Sequence, residues 1–279
     1  MNNDIEYMKN LAREMRRDIF RMAYKAGGGH IAPAFSIVEI LTAVYMSGVL
    51  KHDPERPDDP RRDRFILSKG HASAALYAVL AQAGYLDRDE LDLFCQEGSI
   101  LGGHPNMLEI PGVEASTGAL GHGLGFATGI ALAGKLDKED YQVYVVVGDG
   151  ECQEGSIWEA ALFAASQNLN NLTVILDYNK LQAMDRLDKI IRMEPFAEKW
   201  KGFGWEVQEV DGHDIAALIE SLGPNESQSP RIIIAHTIKG KGVSFMEGVP
   251  IWHFRLPDDE ELKIVLRDLE MDMQELMGS

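Results

Sequence analysis

The sequence predicts a three-layer α/β sandwich, a mostly parallel sheet flanked by helices, and three observations carry that expectation. Short apolar runs alternate with helical patterns, and a continuous apolar run is what a strand buried on both faces requires. Two of these runs end in polar turns, Gly148-Asp149-Gly150 and Asp177-Tyr178-Asn179, with a helical pattern from about Ser156 between them. The 279 residues, 45% hydrophobic and 25% charged, suffice for a large core and contain no internal repeat or low-complexity tract. One domain over residues 1–279 is the better reading.

In chain order, Ile5, Met8, Ala12, Met15, Ile19, Met22 and Ala26 recur at helical steps and give one buried stripe, ended by Gly27-Gly28-Gly29. Ser36-Ile-Val-Glu39 has the form of a capping box and opens a helix to about Ser47. Lys51–Arg64 is charged and proline-rich, a surface loop. Arg64–Ser68 reads as a short buried strand running into Lys69-Gly70-His71, with a helix from Ala72. Asp87–Glu90 starts another helix. Glu114–Gly134 holds six glycines and feeds a helix over Phe126–Leu132; a helix start of that kind offers backbone amides to a phosphate. Strands follow at Val143–Val147, Leu172–Leu176, Glu206–Val210 and Arg231–Ala235. Helices fill Glu194–Phe203 and the stretch from Asp214 to Leu222. Pro224–Pro230 is a polar loop, and Gly240–Trp252 is a loop reaching His253. Asp258 and Glu261 cap a last helix carrying Leu262, Val265, Leu269, Met273 and Leu276.

Ligands in open α/β sheets sit beyond the carboxyl ends of the strands. Asp149 and Asn179 occupy such ends on two successive strands, so they are candidates to face one another across a crevice. A carboxylate, an amide oxygen and nearby carbonyls are hard donors suited to Mg²⁺ or Ca²⁺. Gly148 and Gly150 allow a bulky ligand to approach the backbone. The spacing therefore reads as a divalent metal holding a diphosphate; the competing reading is a plain turn with Asn179 capping a strand end. Of the eight histidines, His52, His122, His213 and His236 have ordinary structural explanations. His30, His71, His104 and His253 each follow a turn or strand end, and together they suggest a pocket lined with groups that titrate near neutrality. Their spacings match no zinc pattern.

GDG followed some thirty residues later by Asn179 resembles the thiamine diphosphate (ThDP) motif, and GDGECQEGSIWEA in full is similar to transketolase. The resemblance implies a diphosphate-binding (PP-type) domain. Asp149, Asn179 and the main-chain oxygen of Leu181 would ligate the metal, and two diphosphate oxygens and a water would complete its shell. Gly118 would lie against the thiazolium side, with His71, Leu120, Gly148, Gly150 and Glu151 also at the cofactor. SKGHAS at His71, GGHPN at His104, GGH at His30 and the loop ending in His253 look like transketolase active-site segments. By that likeness the four histidines contact donor and acceptor hydroxyls and shuttle protons. Glu154 resembles the family's interface glutamate linking two cofactor sites, although a carboxylate at a helix N-terminus is favourable in any case.

The match covers nearly the whole chain but only the first half of the usual family chain. It implies the N-terminal subunit of a split transketolase, inactive until a C-terminal, pyrimidine-binding partner joins it, as an α2β2 heterotetramer. The reaction implied is transfer of a two-carbon ketol unit from a ketose to an aldose. Ile31-Ala32-Pro33, Ala119, His122 and Phe254 depart from the family pattern on the pocket rim. They open the substrate to a specialised sugar beside the family's pentose and heptulose phosphates. Two alternatives stand: the α subunit of a 2-oxoacid dehydrogenase, and a non-catalytic ThDP- or nucleotide-binding subunit. No GxGxxG follows an early strand, which weighs against a nucleotide. A net charge of −17 argues against nucleic acid or an anionic membrane as partner. Two cysteines, Cys95 and Cys152, form no disulfide framework and fit a cytoplasmic protein.

Overall fold

Five parallel strands form the centre of the molecule, β1 (Arg64–Leu67), β2 (Val143–Gly148), β3 (Leu172–Tyr178), β4 (Glu206–Asp211) and β5 (Arg231–His236), in the order β1-β2-β3-β5-β4. The computed structural model describes residues 4–278. Successive side chains of a strand point to opposite faces, and both faces here are apolar. Val143, Val145, Val147, Leu172, Val174, Leu176, Ile232 and Ile234 enter one core; Tyr144, Val146, Ile175, Ile233 and Ala235 enter the other. That two-sided burial is why these strands read as unbroken Val/Ile/Leu runs. β4 is the edge strand, and its exposed Glu206, Gln208 and Glu209 discourage further pairing there.

One layer of helices comprises α1 (Ile5–Lys25), α2 (Ile31–Phe35), α3 (Val38–Met46) and α4 (Ser73–Gln82). The opposite layer is built on α5 (Gly123–Asp137), α6 (Gly155–Ser166) and, beyond the short α7 (Leu187–Ile190), α8 (Phe196–Gly202). α9 (Ile215–Ser221), α10 (Asp259–Asp268) and α11 (Met273–Met277) rejoin the first layer. Asp4 caps α1 by accepting from the backbone amides of Glu6 and Tyr7, and Asp214 caps α9 in the same way. Gly27, at φ +72°, takes the left-handed conformation that ends α1.

Three expectations need correction. Ser36 does not cap α3, which begins after Ile37 without a side-chain cap. The Ser36 hydroxyl instead donates to Asp177 Oδ2 at 2.7 Å, and Glu39 is paired with Arg16 and His213. Those long-range partners outcompete a local cap. The segment after Asp87 is a 3-10 helix (Arg88–Leu93). The last helix is two helices: Glu270 turns to φ +52°, and a second capping box, Asp272 with Glu275, opens α11. Among the described residues no helix is long and apolar enough to cross a membrane.

Candidate active site

The register of β2 and β3 pairs Gly148 with Asp177, so both strands finish at one level and their next residues share the same edge. A cavity of about 340 Å³ opens there, at the carboxyl ends of β1, β2, β3 and β5. Each strand delivers a polar residue to its wall: Lys69 after β1, Asp149 after β2, Asn179 after β3 and Lys239 after β5. A larger recess, about 630 Å³, lies at the amino ends of the strands and is lined by Asp63, Tyr144, Asn171 and Arg231. Asp63 there is tied to the backbone amides of Lys51 and Gln142, and no histidine lines that recess.

Asp149 is 2% exposed. Its Oδ1 accepts from the Gly150 amide at 2.7 Å and its Oδ2 from the Lys180 amide at 2.5 Å. Burial, reinforced by the Asp177 charge, pushes its pKa up to about 7. A carboxylate so placed gains from a nearby cation. Asn179 is oriented from below: its Nδ2 donates to Asp177 Oδ2 at 2.9 Å, and its Oδ1 accepts from the Leu181 amide at 3.0 Å. Burial opposes the Asp177 charge, but Lys69 at 2.5 Å and the hydroxyls of Thr237 and Ser36 hold its pKa below the usual range. No group of three or more His, Cys, Asp or Glu side chains among the described residues is placed to hold a metal. The donor set is therefore one carboxylate, one amide oxygen and backbone carbonyl, which leaves coordination positions for a ligand's own oxygens. That is a fit to Mg²⁺ or Ca²⁺ shared with a diphosphate.

The glycine-rich segment closes one side. Gly118 sits at φ +142°, and a Cβ there would fall 2.6 Å from the His104 ring; a Cβ on Gly121, at φ +86°, would meet Ser156 and Glu154. Glu151 ties this segment to the strand ends. It accepts from Ser68 Oγ at 2.5 Å, the Gly121 amide at 2.9 Å and the Gly148 amide at 3.0 Å, and burial raises its pKa. Gly118, Leu120, Gly148, Gly150, Glu151, Leu181 and Glu154 all line the cavity. Glu154 is exposed at the start of α6.

The four histidines converge. The His30 ring centroid lies 5.2 Å from His71, 5.1 Å from His253 and 6.4 Å from His104. His30, His71 and His253 line the cavity, and the exposed His104 stands just outside it. Burial first, then neighbouring cationic groups, lowers His30 to about 4, His253 to about 3 and His71 well below its ordinary value. The rings are therefore neutral at pH 7. Lys239 Nζ lies 2.9 Å from His253 Nδ1 and 3.0 Å from the Gln182 carbonyl. An ammonium can only donate, so Nδ1 accepts and His253 carries its proton on Nε2.

Sequence reasoning passed over Lys69, Asp177 and Lys239 as site residues. All three are buried, at 2%, 0% and 2% exposure. The signal available was position: a lysine directly beyond a buried strand, in Ser68-Lys69-Gly70 and Ile238-Lys239-Gly240, has little access to solvent.

A family model described as "Transketolase, thiamine diphosphate binding domain" matches residues 8–276. One of the two subunits of an apulose-4-phosphate transketolase from Phocaeicola vulgatus is 39% identical over 274 residues, 98% of this chain and 97% of that protein. The 6-deoxy-6-sulfo-D-fructose transketolase subunit SqwG of a Clostridium species is 38% identical over 271 residues, 96% of this chain and 97% of that one. The crystal structure of a transketolase from Campylobacter jejuni superposes with a TM-score of 0.90 at 31% identity, over 98% of this chain and 44% of that chain. This chain thus spans nearly all of the relatives named as transketolase subunits and less than half of the Campylobacter chain.

Proposed function

This chain belongs to the transketolase thiamine diphosphate-binding domain family, and from that premise we propose that it is the diphosphate-binding subunit of a two-chain transketolase. With a pyrimidine-binding partner it moves a two-carbon ketol unit from a ketose to an aldose. The observation that carries this reading is the convergence of an opposed Asp149–Asn179 pair and four histidine rings on one cavity at the strand ends.

Asp149, Asn179 and the Leu181 carbonyl would hold Mg²⁺ or Ca²⁺, and ThDP would place its diphosphate between that ion and the glycine-rich segment. When bound, ThDP supplies the nucleophilic carbon and electron sink for breaking and remaking the C–C bond. This chain orients the substrate and moves protons. Lys69 and Lys239 set a positive floor that offsets the repulsion of an anionic cofactor by a protein of charge −17. His253, fixed with its proton on Nε2, donates a hydrogen bond; the neutral His30 and His71 accept from or donate to sugar hydroxyls, and His104 does the same from the rim. Water is limited because the imidazoles pack on one another.

Partner docking belongs on the second helical layer, where α5 and α6 expose Phe126 (48%), Leu136 (73%), Leu162 (59%) and Phe163 (43%). Apolar exposure of this kind on neighbouring helices marks an interaction face, and Glu154 opens α6. Because its relatives are named for apulose 4-phosphate and a sulfo-sugar, we place the substrate among substituted ketoses with a terminal anion. The test is reconstitution. This chain alone, with ThDP and Mg²⁺, is expected to turn over no ketose, and addition of a pyrimidine-domain chain is expected to start ketol transfer. Activity of the homogeneous isolated chain would contradict the two-chain reading.

A further inference from the structure

His30 has a second neighbour. Beyond His71 and His253 it meets Phe254, centroid to centroid 4.8 Å and edge to face at 65°. Phe254 is 60% exposed and lies over the glycine turn, where a Cβ on Gly28 would reach within 3.4 Å of its Cζ. The backbone at Gly28 thus supports the ring from below, and His30 braces it from the side. The adjacent cation is committed elsewhere: the Arg255 guanidinium lies 4.3 Å over the Trp252 ring and pairs with Glu261 at 2.9 Å. What the rim beside His30 offers a ligand is therefore an apolar ring flanked by neutral imidazoles. A sugar has the matching surface, with hydroxyls along its edge and C–H groups on its face.

We propose that Phe254 is a specificity-determining residue. Its exposed ring stacks on a C–H face of the sugar whose hydroxyls His30 and His253 hold, and it limits the bulk that passes His30. The site favours short or narrow carbon chains. This inference rests on the two-chain transketolase reading, and a terminal phosphate or sulfonate is then met by the partner subunit.

The experiment uses the assembled two-chain enzyme and compares kcat/KM for glycolaldehyde and ribose 5-phosphate as acceptors with one donor. Phe254→Gly is expected to shift the ratio toward ribose 5-phosphate by at least about tenfold, the scale of removing steric discrimination from a pocket. Phe254→Trp is expected to shift it the other way. ThDP affinity by calorimetry stays within about twofold in both, because the ring lies outside the cofactor cavity. An unchanged ratio, or an equal change for both acceptors, overturns the proposal. A second readout does not depend on turnover: saturation transfer from aromatic protons to the C–H protons of added ribose 5-phosphate is expected in the wild-type complex and lost in Phe254→Leu. If the wild-type pair transfers no ketol unit, the parent reading falls, and this contrast still decides whether Phe254 holds a sugar.

Discussion

At the scale of single residues the site is governed by burial acting against charge. Asp149 and the three cavity histidines are each shifted toward neutrality, with opposite consequences for stability. The histidines have folded pKa values depressed below the ordinary 6.5. Their contribution is fully present above pH 6.5 and is lost as the pH falls toward 4, because the unfolded chain then binds protons that the folded one refuses. Asp149 is raised to about 7, so its contribution is present below pH 3.8 and lost as the pH rises through 7. Comparing variants separates the two. His30→Gln is expected to flatten the decline in Tm between pH 6.5 and 4, by an amount equivalent to roughly 3 kcal/mol at the 1.36 kcal/mol per unit that links pKa to stability; parallel Tm curves for both proteins would remove the claim that His30 is held neutral. Asp149→Ala tests the other end of the site. Calorimetric ThDP affinity in Mg²⁺ is expected to drop at least about 100-fold, the cost of losing a metal ligand or its support, while affinity without a divalent ion is unchanged. Equal affinities in Mg²⁺ would remove the metal assignment. Asp149, Asn179 and the four histidines could be picked out in the sequence because each follows a strand or turn in a polar, glycine-bearing context. Lys69 and Lys239 could not: a lysine reads as a solvated side chain until the strands beside it are seen to bury it.

At the scale of elements, the sheet was legible because its interior strands are apolar on both faces, a pattern that only two covering layers explain. Helix boundaries were less so where distant residues claimed the capping groups. Ser36 and Glu39 have the spacing of a local cap, yet Ser36 is drawn to Asp177 across the core. Glu39, whose burial works against ionisation, is held down to about 2 by Arg16 and His213. The break between α10 and α11 had a readable sign in Asp272 and Glu275 that the continuous apolar periodicity obscured. The stacking of Phe254 on His30 was beyond sequence reasoning, since it joins residues more than two hundred positions apart. Helices α5 and α6 carry their own prediction. Phe126→Lys combined with Leu162→Glu changes only exposed side chains, so the Tm of the isolated chain and its metal binding should hold, with surface substitutions usually costing within about 0.5 kcal/mol. Association with the partner, followed by sedimentation velocity, is expected to weaken at least about tenfold, because charges would be desolvated in an apolar contact. Undiminished association would place the partner on another face.

At the scale of the whole molecule, the chain assembles half of a site. Its cavity supplies metal ligands, a cationic floor and neutral imidazoles, but the rim near α5 and α6 ends in exposed apolar side chains rather than a wall. A cofactor seated there would touch both this chain and whatever covers that rim, so cofactor binding and subunit association are linked equilibria. Linkage is reciprocal: if the partner tightens ThDP binding by a given factor, ThDP with Mg²⁺ tightens partner binding by the same factor. For a site shared between two chains we expect a coupling of about 5- to 150-fold, the range usual for two ligands acting through one protein. Titrating ThDP into this chain with and without saturating partner gives one factor. Titrating partner into this chain with and without ThDP and Mg²⁺ gives the other. Equal factors well above one would mean that the two chains close a common cavity. Factors of one would mean that the cofactor lies wholly within this chain, and the dependence of catalysis on a partner would then have to come from residues that touch only the sugar.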